Sequence, residues 1–525
     1  MVDAREYHER TKHSPKSVRE GGHRLDFENK PRPEKVYEDL PSRSLPEPDP
    51  PTAPALSAIA EPTPDGDPTR APDVEALSTL CQYAAGITTE LEVYGERREF
   101  RAAAATGALY HVDLYVVTGD LGGDGDGLEA GVYHFDPRSR SLDVLRRGDY
   151  RGVLAEASSY GPVADAPLSV VATSTWWRNA WKYRERTFRH AFWDSGTVLA
   201  NLLAVAHALE LRAEVVTGFA DEPVADLLGI DPEREAPLEL VAIGTGDDAP
   251  GPPSVEPIDP DVAPLSPTEK AFPLIYEAWA AGVLADGTAA EAWRTGRPDG
   301  PIGTREAGTG ERVALEPVDR ETASSRPLEN TIVRRGSCRE YDRESISFRK
   351  LSTVLDRAVR GVPMDVRREG CGGVREETAD RENDPPLSFV DPYLVVDAVS
   401  GLESGTYHYH PEAGELERLR TGEFRREAGH LALDQRLGFD AAACIYFVTD
   451  LEAIVDALGD RGYRVAQLEA AVTAGRLYLA TYAHRTLGGS GLTFYDDAVT
   501  DFFEPRASGQ TPMFLYTLGR PATDT

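Results

Sequence analysis

An adjacent lysine and tyrosine, Lys182 and Tyr183, are the residues of this sequence best suited to moving a proton. Only seven of the 56 basic residues are lysines, so a position that needed charge alone would more readily have been filled by arginine. A desolvated lysine can lose its proton near neutral pH, whereas arginine cannot. The pair is therefore predicted to act as a catalytic acid and base. The alternative is a solvated cationic face, with Tyr183 in the core and Lys182 at the surface beside Arg184, Arg186 and Arg189.

A second candidate, the sequence VRRGSCREY at 333–341, has the chemistry for holding a phosphate. Arg335, Ser337 and Arg339 stand at R-x-S-x-R spacing, which combines two positive charges, a hydroxyl and the backbone freedom of Gly336. Such a set suits a phosphate monoester, because hydrogen bonds from guanidinium groups to an anion are strong and directional. The alternative is an exposed run of arginines paired with the abundant carboxylates. The sequence contains no G-x-G-x-x-G fingerprint after a strand and no P-loop.

The phosphate element, with Tyr341 two residues beyond Arg339, resembles the R-x-S-x-R-x-F/Y segment that opens domains of the FMN-dependent nitroreductase superfamily. In that superfamily the segment holds the flavin phosphate, and the protein is a homodimer of α+β subunits with two flavins at the interface. The resemblance implies that FMN is the cofactor. It also implies that Arg335, Ser337 and Arg339 contact the phosphate.

The stretch FRAAAATGALYHVDLYVV, beginning at Phe100, resembles the R-x-x-P-S-A-G-A-L segment of the SagB-type, thiazole- and oxazole-forming dehydrogenases of that superfamily. The resemblance implies that Arg101, Gly107 and Ala108 lie against the flavin, where small residues let the backbone approach. Alanines replace the proline and serine of the family segment, which removes a hydroxyl contact to the flavin. The alternative is an alanine-rich core segment that precedes a strand.

Three further matches extend the resemblance along the chain. The SagB-type dehydrogenases carry an adjacent lysine and tyrosine implicated in catalysis, matching Lys182 and Tyr183. Gly489 and Gly491 of the sequence GGSG resemble the family loop that lays backbone amides over the flavin, although a glycine-rich turn also ends many helices. Arg520 stands near the C-terminus, where the family commonly places a basic residue on the phosphate.

The sequence that must position these residues is repeated. GVYHFDPRSRSLDVLRRGDYR returns 274 residues later as GTYHYHPEAGELERLRTGEFR, and shorter matches follow in the same order. Each copy mixes β-rich runs with long stretches of helical spacing. We therefore predict an α+β fold in which two tandem nitroreductase-like α/β sandwich domains form an intramolecular pseudo-dimer. The predicted boundaries are an N-terminal arm at 1–75, the first copy at 76–245, a linker with a helix at 246–325 and the second copy at 326–522.

The two copies have kept different halves of the family's site. At the offset of the phosphate element, the first copy has ALSAIAEPTPDG (55–66), which contains no arginine. In place of the small-residue stretch, the second copy has a polar loop at 366–387. In dimers of the superfamily these two elements reach one flavin from opposite subunits. The sequence therefore predicts one FMN per chain. Within the linker, S-P-T-E at 266–269 predicts the start of a helix.

Composition excludes several classes of function. The 88 acidic and 56 basic residues give a net charge of −32, which excludes a sequence-independent nucleic-acid binder and disfavours an anionic membrane surface. No apolar run of membrane-spanning length or signal-peptide core occurs, so we expect a soluble, cytoplasmic protein, and the acidic composition suggests a salt-rich cytoplasm. Four cysteines without paired spacing and histidines without helical pairing predict neither disulfides nor a metal site.

Together these features predict an FMN-dependent oxidoreductase of the SagB type. If the resemblance extends to the substrate, the reaction is oxidation of a thiazoline or oxazoline ring in a peptide. One alternative is an NAD(P)H-dependent reductase of nitro compounds or quinones. Another is a non-catalytic scaffold in a peptide-modification complex, which Ala104 and Ala105, in place of the family's proline and serine, keep open. The expected partners are a small-molecule or peptide substrate and other peptide-modification proteins.

Overall fold

The computed structural model describes residues 2–60, 70–93, 96–123, 127–295, 302–306, 308–319, 322, 326–366 and 388–522. The polar loop predicted at 366–387 lies, apart from its first residue, outside the described residues, as do residues 61–66 of the segment compared with the phosphate element.

The strands, in chain order, are β1 (Ser42–Ser44), β2 (Ile87–Val93), β3 (Glu96–Arg101), β4 (Val112–Thr118), β5 (Gly131–Asp136), β6 (Ser141–Arg147), β7 (Leu168–Thr175), β8 (Ala213–Val216), β9 (Glu235–Ile243), β10 (Arg312–Ala314), β11 (Ile346–Ser347), β12 (Asp391–Val396), β13 (Val399–Ser400), β14 (Gly405–His410), β15 (Glu415–Thr421), β16 (Ala443–Thr449), β17 (Gly488–Leu492) and β18 (Thr511–Gly519).

The α-helices are α1 (Ala4–Thr11), α2 (Pro15–Glu20), α3 (Ala55–Ala58), α4 (Val74–Ala85), α5 (Arg151–Ser158), α6 (Gly161–Ala164), α7 (Trp176–Tyr183), α8 (Thr187–Ala208), α9 (Asp221–Leu228), α10 (Pro273–Ala281), α11 (Gly287–Thr295), α12 (Leu328–Arg334), α13 (Phe348–Ala358), α14 (Arg425–Leu431), α15 (Arg436–Asp440), α16 (Leu451–Ala483) and α17 (Asp496–Phe503). Short 3₁₀ turns occupy Phe27–Asn29, Thr106–Ala108 and Arg184–Arg186.

Each half of the chain builds one antiparallel sheet that is seven strands wide within the described residues. The strand order is β1-β6-β5-β4-β7-β9-β8 in the first sheet and β10-β15-β14-β12-β16-β18-β17 in the second, so every strand has a counterpart at the same place. The central strands β4, β7, β12 and β16 are buried along their whole lengths, as their β-branched and aromatic residues predict. The predicted fold of two tandem α+β sandwich domains is confirmed.

The two domains pack through their longest helices, α8 and α16, which cross closely at small residues. A Cβ atom built on Gly196 would stand 2.5 Å from the Cβ of Ala471, and one on Gly475 would collide with Ala200. Each contacting pair is separated by 275 residues, close to the interval of the sequence repeat. The crossing therefore lies on an approximate two-fold axis that relates the domains, and glycine is required there because the helices approach so closely.

A second pair of equivalent segments crosses on the same axis. Ala55 N–H donates to the carbonyl of Arg326 and Leu328 N–H donates to that of Ala53, both at 2.8 Å. These reciprocal bonds join the segments that lead into α3 and α12. The chain thus reproduces within one polypeptide the exchange of main-chain contacts that a symmetric dimer makes between two subunits.

The segments outside the repeated copies contribute to the sheets. Strand β1, in the predicted N-terminal arm, forms one edge of the first sheet, and β10, in the predicted linker, forms the same edge of the second. Lys35 of the arm is buried and donates to Glu235 at 2.7 Å and to Tyr115 Oη at 2.8 Å. The exact domain boundaries stay predictions, but both connecting segments are built into the domains.

The linker helix begins later than the sequence predicts. Ser266 does not cap a helix, because its hydroxyl accepts a hydrogen bond from Trp177 Nε1 at 2.8 Å and donates to the carbonyl of Thr268. Helix α10 starts instead at Pro273, where proline at the first position needs no hydrogen-bond partner. The tertiary contact with Trp177 has overridden the local capping pattern.

A buried ion network also ties the domains together. Asp221, at the start of α9 in the first domain, is fully buried and accepts from Arg464 Nη1 at 2.8 Å and from Arg461 Nη1 at 2.5 Å. Both arginines lie on α16 of the second domain and are themselves buried. Within the described residues, no helix is long and apolar enough to cross a lipid bilayer.

Candidate functional site

The phosphate element of the second domain lies directly on the small-residue stretch of the first. Arg335 Nε donates to the main-chain carbonyl of Ala102 and its Nη2 to that of Arg101, both at 2.9 Å. The two elements therefore contact each other from opposite domains. The junction between them is the candidate site.

The small-residue stretch turns sharply just after this contact. Gly107, Ala108 and Tyr110 all have positive φ angles, of 65°, 53° and 49°. Two of the three are not glycine, so the loop is held in a conformation that L residues rarely adopt. Two residues of α8 hold the loop in this conformation. Thr106 N–H donates to both carboxylate oxygens of Asp194 at 2.8 and 2.9 Å, and Thr197 Oγ1 donates to the carbonyl of Ala104 at 2.6 Å.

Lys182 and Tyr183 form the last turn of α7 and face this loop. A Cβ atom built on Gly107 would stand 2.8 Å from Tyr183 Oη and 3.3 Å from Lys182 Nζ. Helix α7 ends immediately afterwards, because Arg184 has a φ of 51°. The structure therefore brings the predicted catalytic pair into contact with the predicted flavin loop, and only a residue without a side chain fits between them.

Positive charge converges on this place from separate segments. Lys182 is half-buried, and burial first, then Arg339 and Lys30, lower the pKa of its ammonium group. Arg339 belongs to the phosphate element and Lys30 to the N-terminal arm. Among the residues that the structure describes, none of the three side chains has a carboxylate partner. In a chain with a net charge of −32, such a cluster of unpaired cations is the electrostatic pattern of an anion-binding site.

The pKa of Tyr183 is shifted in the opposite direction. Burial and the nearby carboxylate of Asp194 raise the pKa of its phenol, while Arg339 opposes the shift. Its ring packs edge-on against His190, with centroids 4.6 Å apart. The surroundings thus shift the pKa values of the two neighbouring side chains in opposite directions. Lys182 releases its proton more easily than a free lysine, and Tyr183 keeps its proton.

Ser337 lies at the side of the junction formed by strand β17. Its hydroxyl is 3.5 Å from Tyr478 Oη, and Tyr478 in turn accepts the N–H of Gly491 at 2.6 Å. The predicted glycine loop is therefore an edge strand, and the Gly491 amide is already used. Gly489 is required because a side chain there would overlap Tyr516. These glycines make room for tyrosines beside the site.

Two arginines predicted to bind the cofactor, Arg520 at the phosphate and Arg101 against the flavin, have guanidinium groups that are bound elsewhere. Arg520 pairs with Asp342 at 3.1 Å and with Glu344. Arg101 is buried, and its Nη2 donates to the carbonyl of Pro33 at 2.7 Å. Both residues border the site, but Arg101 contributes through its main-chain carbonyl and Arg520 by tying down the segment that follows the phosphate element.

Asp194 is the residue of the site that the sequence analysis missed. Its burial is nearly complete, at 4% exposure, and it also lies 3.0 Å from His111 Nε2. The repeat carries the signal that could have found it. Glu469 stands 275 residues later on α16, the same interval as at the helix crossing, and its carboxylate accepts the N–H of Phe389 at 2.6 Å. Both domains therefore use an acid of the central helix to hold the segment before the central strand.

A separate cluster, His408, His410 and Glu417, has its ligand atoms within 4.8 Å of one another. Arg506 already stands in it, with Nη2 at 3.2 Å from His408 Nδ1 and 3.6 Å from Glu417. Two backbone N–H groups, from residues 308 and 310, also bond to Glu417. The guanidinium supplies the positive charge of this cluster, which is a structural network on the second sheet.

Comparison with known proteins agrees with this geometry. Residues 67–245 match the model of the nitroreductase family. The chain is 28% identical over 176 residues to the trifolitoxin-processing protein TfxB of Rhizobium leguminosarum bv. trifolii, and 25% identical over 146 residues to the microcin B17-processing protein McbC of Escherichia coli. These matches cover 32% and 27% of this chain, and about half of each relative, 46% and 53%.

A solved structure from Anabaena variabilis, of a protein assigned to the nitroreductases, matches the whole architecture. It is 26% identical, and the superposition covers 99% of both chains with a TM-score of 0.74. The paired sheets described above are therefore shared across both domains. Residues 67–245 are a nitroreductase-family domain, and the chain as a whole shares its two-domain architecture with the Anabaena protein.

Proposed function

We propose that this protein is an FMN-dependent oxidoreductase whose flavin lies at the junction of the two domains. The observation that carries the proposal is the convergence of Lys182 and Arg339, cations of opposite domains that have no carboxylate partner among the described residues, beside a strained loop of small residues. A phosphate dianion would neutralise this charge.

The residues present fit the parts of FMN. Arg339 and Ser337 would hold the phosphate, and Arg335 keeps the phosphate element fixed on the loop of the first domain. Gly107 and Ala108 would face the ring system. FMN, when bound, supplies the acceptor for a hydride removed from the substrate.

The acid–base roles follow from the opposed pKa shifts. Lys182 Nζ, whose pKa is lowered, is the group that would accept a proton from the substrate. Tyr183 Oη, whose pKa is raised, would remain protonated and donate a hydrogen bond to the same substrate atom or its neighbour. Burial of both groups against Gly107 excludes part of the competing water.

The proposed substrate is a thiazoline or oxazoline ring in a peptide. Oxidation of such a ring to the aromatic azole removes one hydride and one proton. Lys182 would accept the proton. The names of TfxB and McbC, which refer to the processing of trifolitoxin and microcin B17, support a peptide substrate. Other modification enzymes acting on the same peptide would then be its partners.

A reductase of nitro compounds or quinones is the second candidate. It is favoured by a 28% match over 169 residues to MJ1384 of Methanocaldococcus jannaschii, whose name assigns it to the nitroreductases. The same flavin site would serve, but reduction by an added hydride donor would not need the lysine.

Flavin content tests the proposal. Protein purified in high salt, which screens the charge of −32, should be yellow and release FMN rather than FAD at about one per chain. A stoichiometry near two would contradict the single mixed site. A folded preparation that binds no flavin, even after incubation with excess FMN, would favour a scaffold.

A further inference from the structure

Asp194 is a buried carboxylate that is held by several contacts near the positively charged site. Besides the two bonds from Thr106 N–H, its Oδ1 accepts from Thr106 Oγ1 at 2.6 Å, and His111 Nε2 lies 3.0 Å from its Oδ2. The other ring nitrogen of His111 is 2.8 Å from Ser174 Oγ on strand β7. The hydrogen bonds from Thr106 therefore hold the carboxylate against the loop, with the His111 ring packed beside it.

What Asp194 holds is the strained part of the site. Thr106 directly precedes Gly107, whose Cα lies against Lys182 and Tyr183. The positive φ angles of Gly107, Ala108 and Tyr110 cost energy, and such a loop persists only where neighbouring contacts determine its shape. Charge-assisted hydrogen bonds from two donors of one residue are contacts of the required strength.

The second domain shows the same arrangement without the catalytic pair. Glu469 holds Phe389 N–H from the equivalent place on α16, but the stretch that would correspond to the small-residue loop differs in sequence. Repetition of the carboxylate indicates that holding this segment is a property of the fold. The lysine and tyrosine beside the held loop are a property of the first domain alone.

We propose that Asp194 is a positioning residue, whose carboxylate fixes the loop from Ala104 to Tyr110 against Lys182 and thereby sets the solvation of the lysine. The inference rests on the proposed function for its purpose, since a half-buried lysine serves as the base. Its physical content, the link between Asp194 and the environment of Lys182, stands in the protein without flavin as well.

Among the described residues, the groups that face Lys182 come from three segments. Arg339 approaches from the second domain, Lys30 from the N-terminal arm, and the Gly107 backbone and the Tyr183 ring from the first domain. Both charged neighbours are cations, and burial is the largest influence on its pKa. Release of the loop would hydrate the lysine and should raise its pKa towards the ordinary value.

The test uses FMN-free protein and the small number of lysines. Acylation by acetic anhydride across a pH series, read by mass spectrometry on the peptide that contains Lys182, gives the pKa of that lysine. In Asp194→Ala we expect Lys182 to titrate at higher pH than in the wild type, and hydrogen exchange of residues 102–111 to accelerate about ten- to a hundred-fold. Asp194→Asn retains an acceptor for Thr106 and should restore most of the protection.

Glu469→Ala is the matched control, because it removes the equivalent carboxylate far along the chain from the lysine. It should leave the titration of Lys182 and the exchange of 102–111 unchanged. An unchanged Lys182 titration in a folded Asp194→Ala protein, or the same change in Glu469→Ala, would overturn the proposal. FMN binding, measured separately by flavin fluorescence, decides the proposed function: a protein that binds no FMN but shows the expected titration fails that function and keeps the role of Asp194.

Discussion

Arg335 of the second domain and Ala102 of the first are joined by a 2.9 Å hydrogen bond from a guanidinium to a main-chain carbonyl. Arg335, one arginine of the phosphate element, thus binds the loop of the other domain. Arg339, the other arginine, has no partner among the described residues. The two arginines of one motif therefore have different tasks, and substitutions should separate them.

Arg339→Ala should weaken FMN binding about ten- to a hundred-fold, because it removes one charge-assisted contact to the phosphate. Its thermal stability should stay at the wild-type value, since the side chain is exposed. Arg335→Ala should weaken FMN binding and also lower the melting temperature, because it frees the loop. Arg138→Ala, which removes an exposed arginine paired with Glu34 and Glu99, is the control for both measurements. Equal effects from Arg138 and Arg339 would mean that the latter is an ordinary surface arginine.

Lys182→Ala should lower turnover of the peptide substrate by about 10² to 10⁴ while FMN remains bound, because a positioned base is lost. Reduction of a nitro compound by an added reductant should survive in the same variant. Lys182→Arg keeps the charge but cannot give up its proton near neutral pH. Full activity of Lys182→Arg would exclude proton transfer by this side chain, and an empty flavin site in Lys182→Ala would make the residue a cofactor ligand.

Gly107→Ala should disturb the site beyond the cost of its backbone conformation. The added methyl group would lie 2.8 Å from Tyr183 Oη, so the tyrosine or the loop must move. Gly414→Ala is a close control, because its φ of 63° nearly equals the 65° of Gly107 but open space surrounds it. Both variants should lose about 1 to 2 kcal/mol of stability from the left-handed conformation. Only Gly107→Ala should also lose FMN affinity and turnover; identical behaviour of the two would contradict the contact with Tyr183.

Asp221→Ala should loosen the junction of the domains, because it leaves the guanidinium groups of Arg461 and Arg464 buried without their carboxylate. Loss of one member of such a buried network typically costs about 3 to 5 kcal/mol. Urea unfolding followed by tryptophan fluorescence would measure this loss. Glu452→Ala removes an exposed partner of Arg5 and should change stability by less than about 1 kcal/mol.

Stability should fall as the pH drops from about 6.5 towards 4. Burial lowers the pKa of His13 to about 3 and that of His484 to about 4, and it lowers that of His8 well below its usual value. The folded state keeps these rings neutral while the unfolded chain binds protons below pH 6.5, so protonation favours unfolding. Each ring adds up to about 1.4 kcal/mol of lost stability per pH unit within that window. Denaturation midpoints at constant ionic strength should show the decline, with a smaller slope in His484→Gln; an unchanged or rising stability would contradict the burial of these rings.

The sequence repeat was enough to predict two equivalent α+β domains, and each of them builds one seven-stranded sheet within the described residues. Predictions from local sequence patterns were wrong where the residue concerned makes a tertiary contact instead. Ser266 bonds to Trp177 instead of capping a helix, and the GGSG segment pairs with β18 instead of forming a loop. Each outcome depends on residues distant in sequence, which no local pattern contains.

The sequence could predict individual residues of the candidate site, but it could not predict the contacts between them. Charge type and spacing pointed to Lys182 and Arg339, since such residues are rare or regularly placed. Asp194 is one of 88 acidic residues, and in the sequence only its repeat counterpart Glu469 distinguishes it; its role becomes visible once the fold places it against Thr106. The engagement of Arg101 with Pro33 likewise depends on where the N-terminal arm lies.

The crossing of α8 and α16 at Gly196 and Gly475 has a consequence for how this protein can change over evolutionary time. In a homodimer, one codon specifies both members of every symmetry-related pair, so a substitution that improves one junction is imposed on the other. Here Asp194 and Glu469, or Gly196 and Ala471, are encoded separately and can diverge independently. Fusion thus converts a symmetric assembly into one where a site on one side of the axis can specialise while its twin is relieved of selection for the same chemistry.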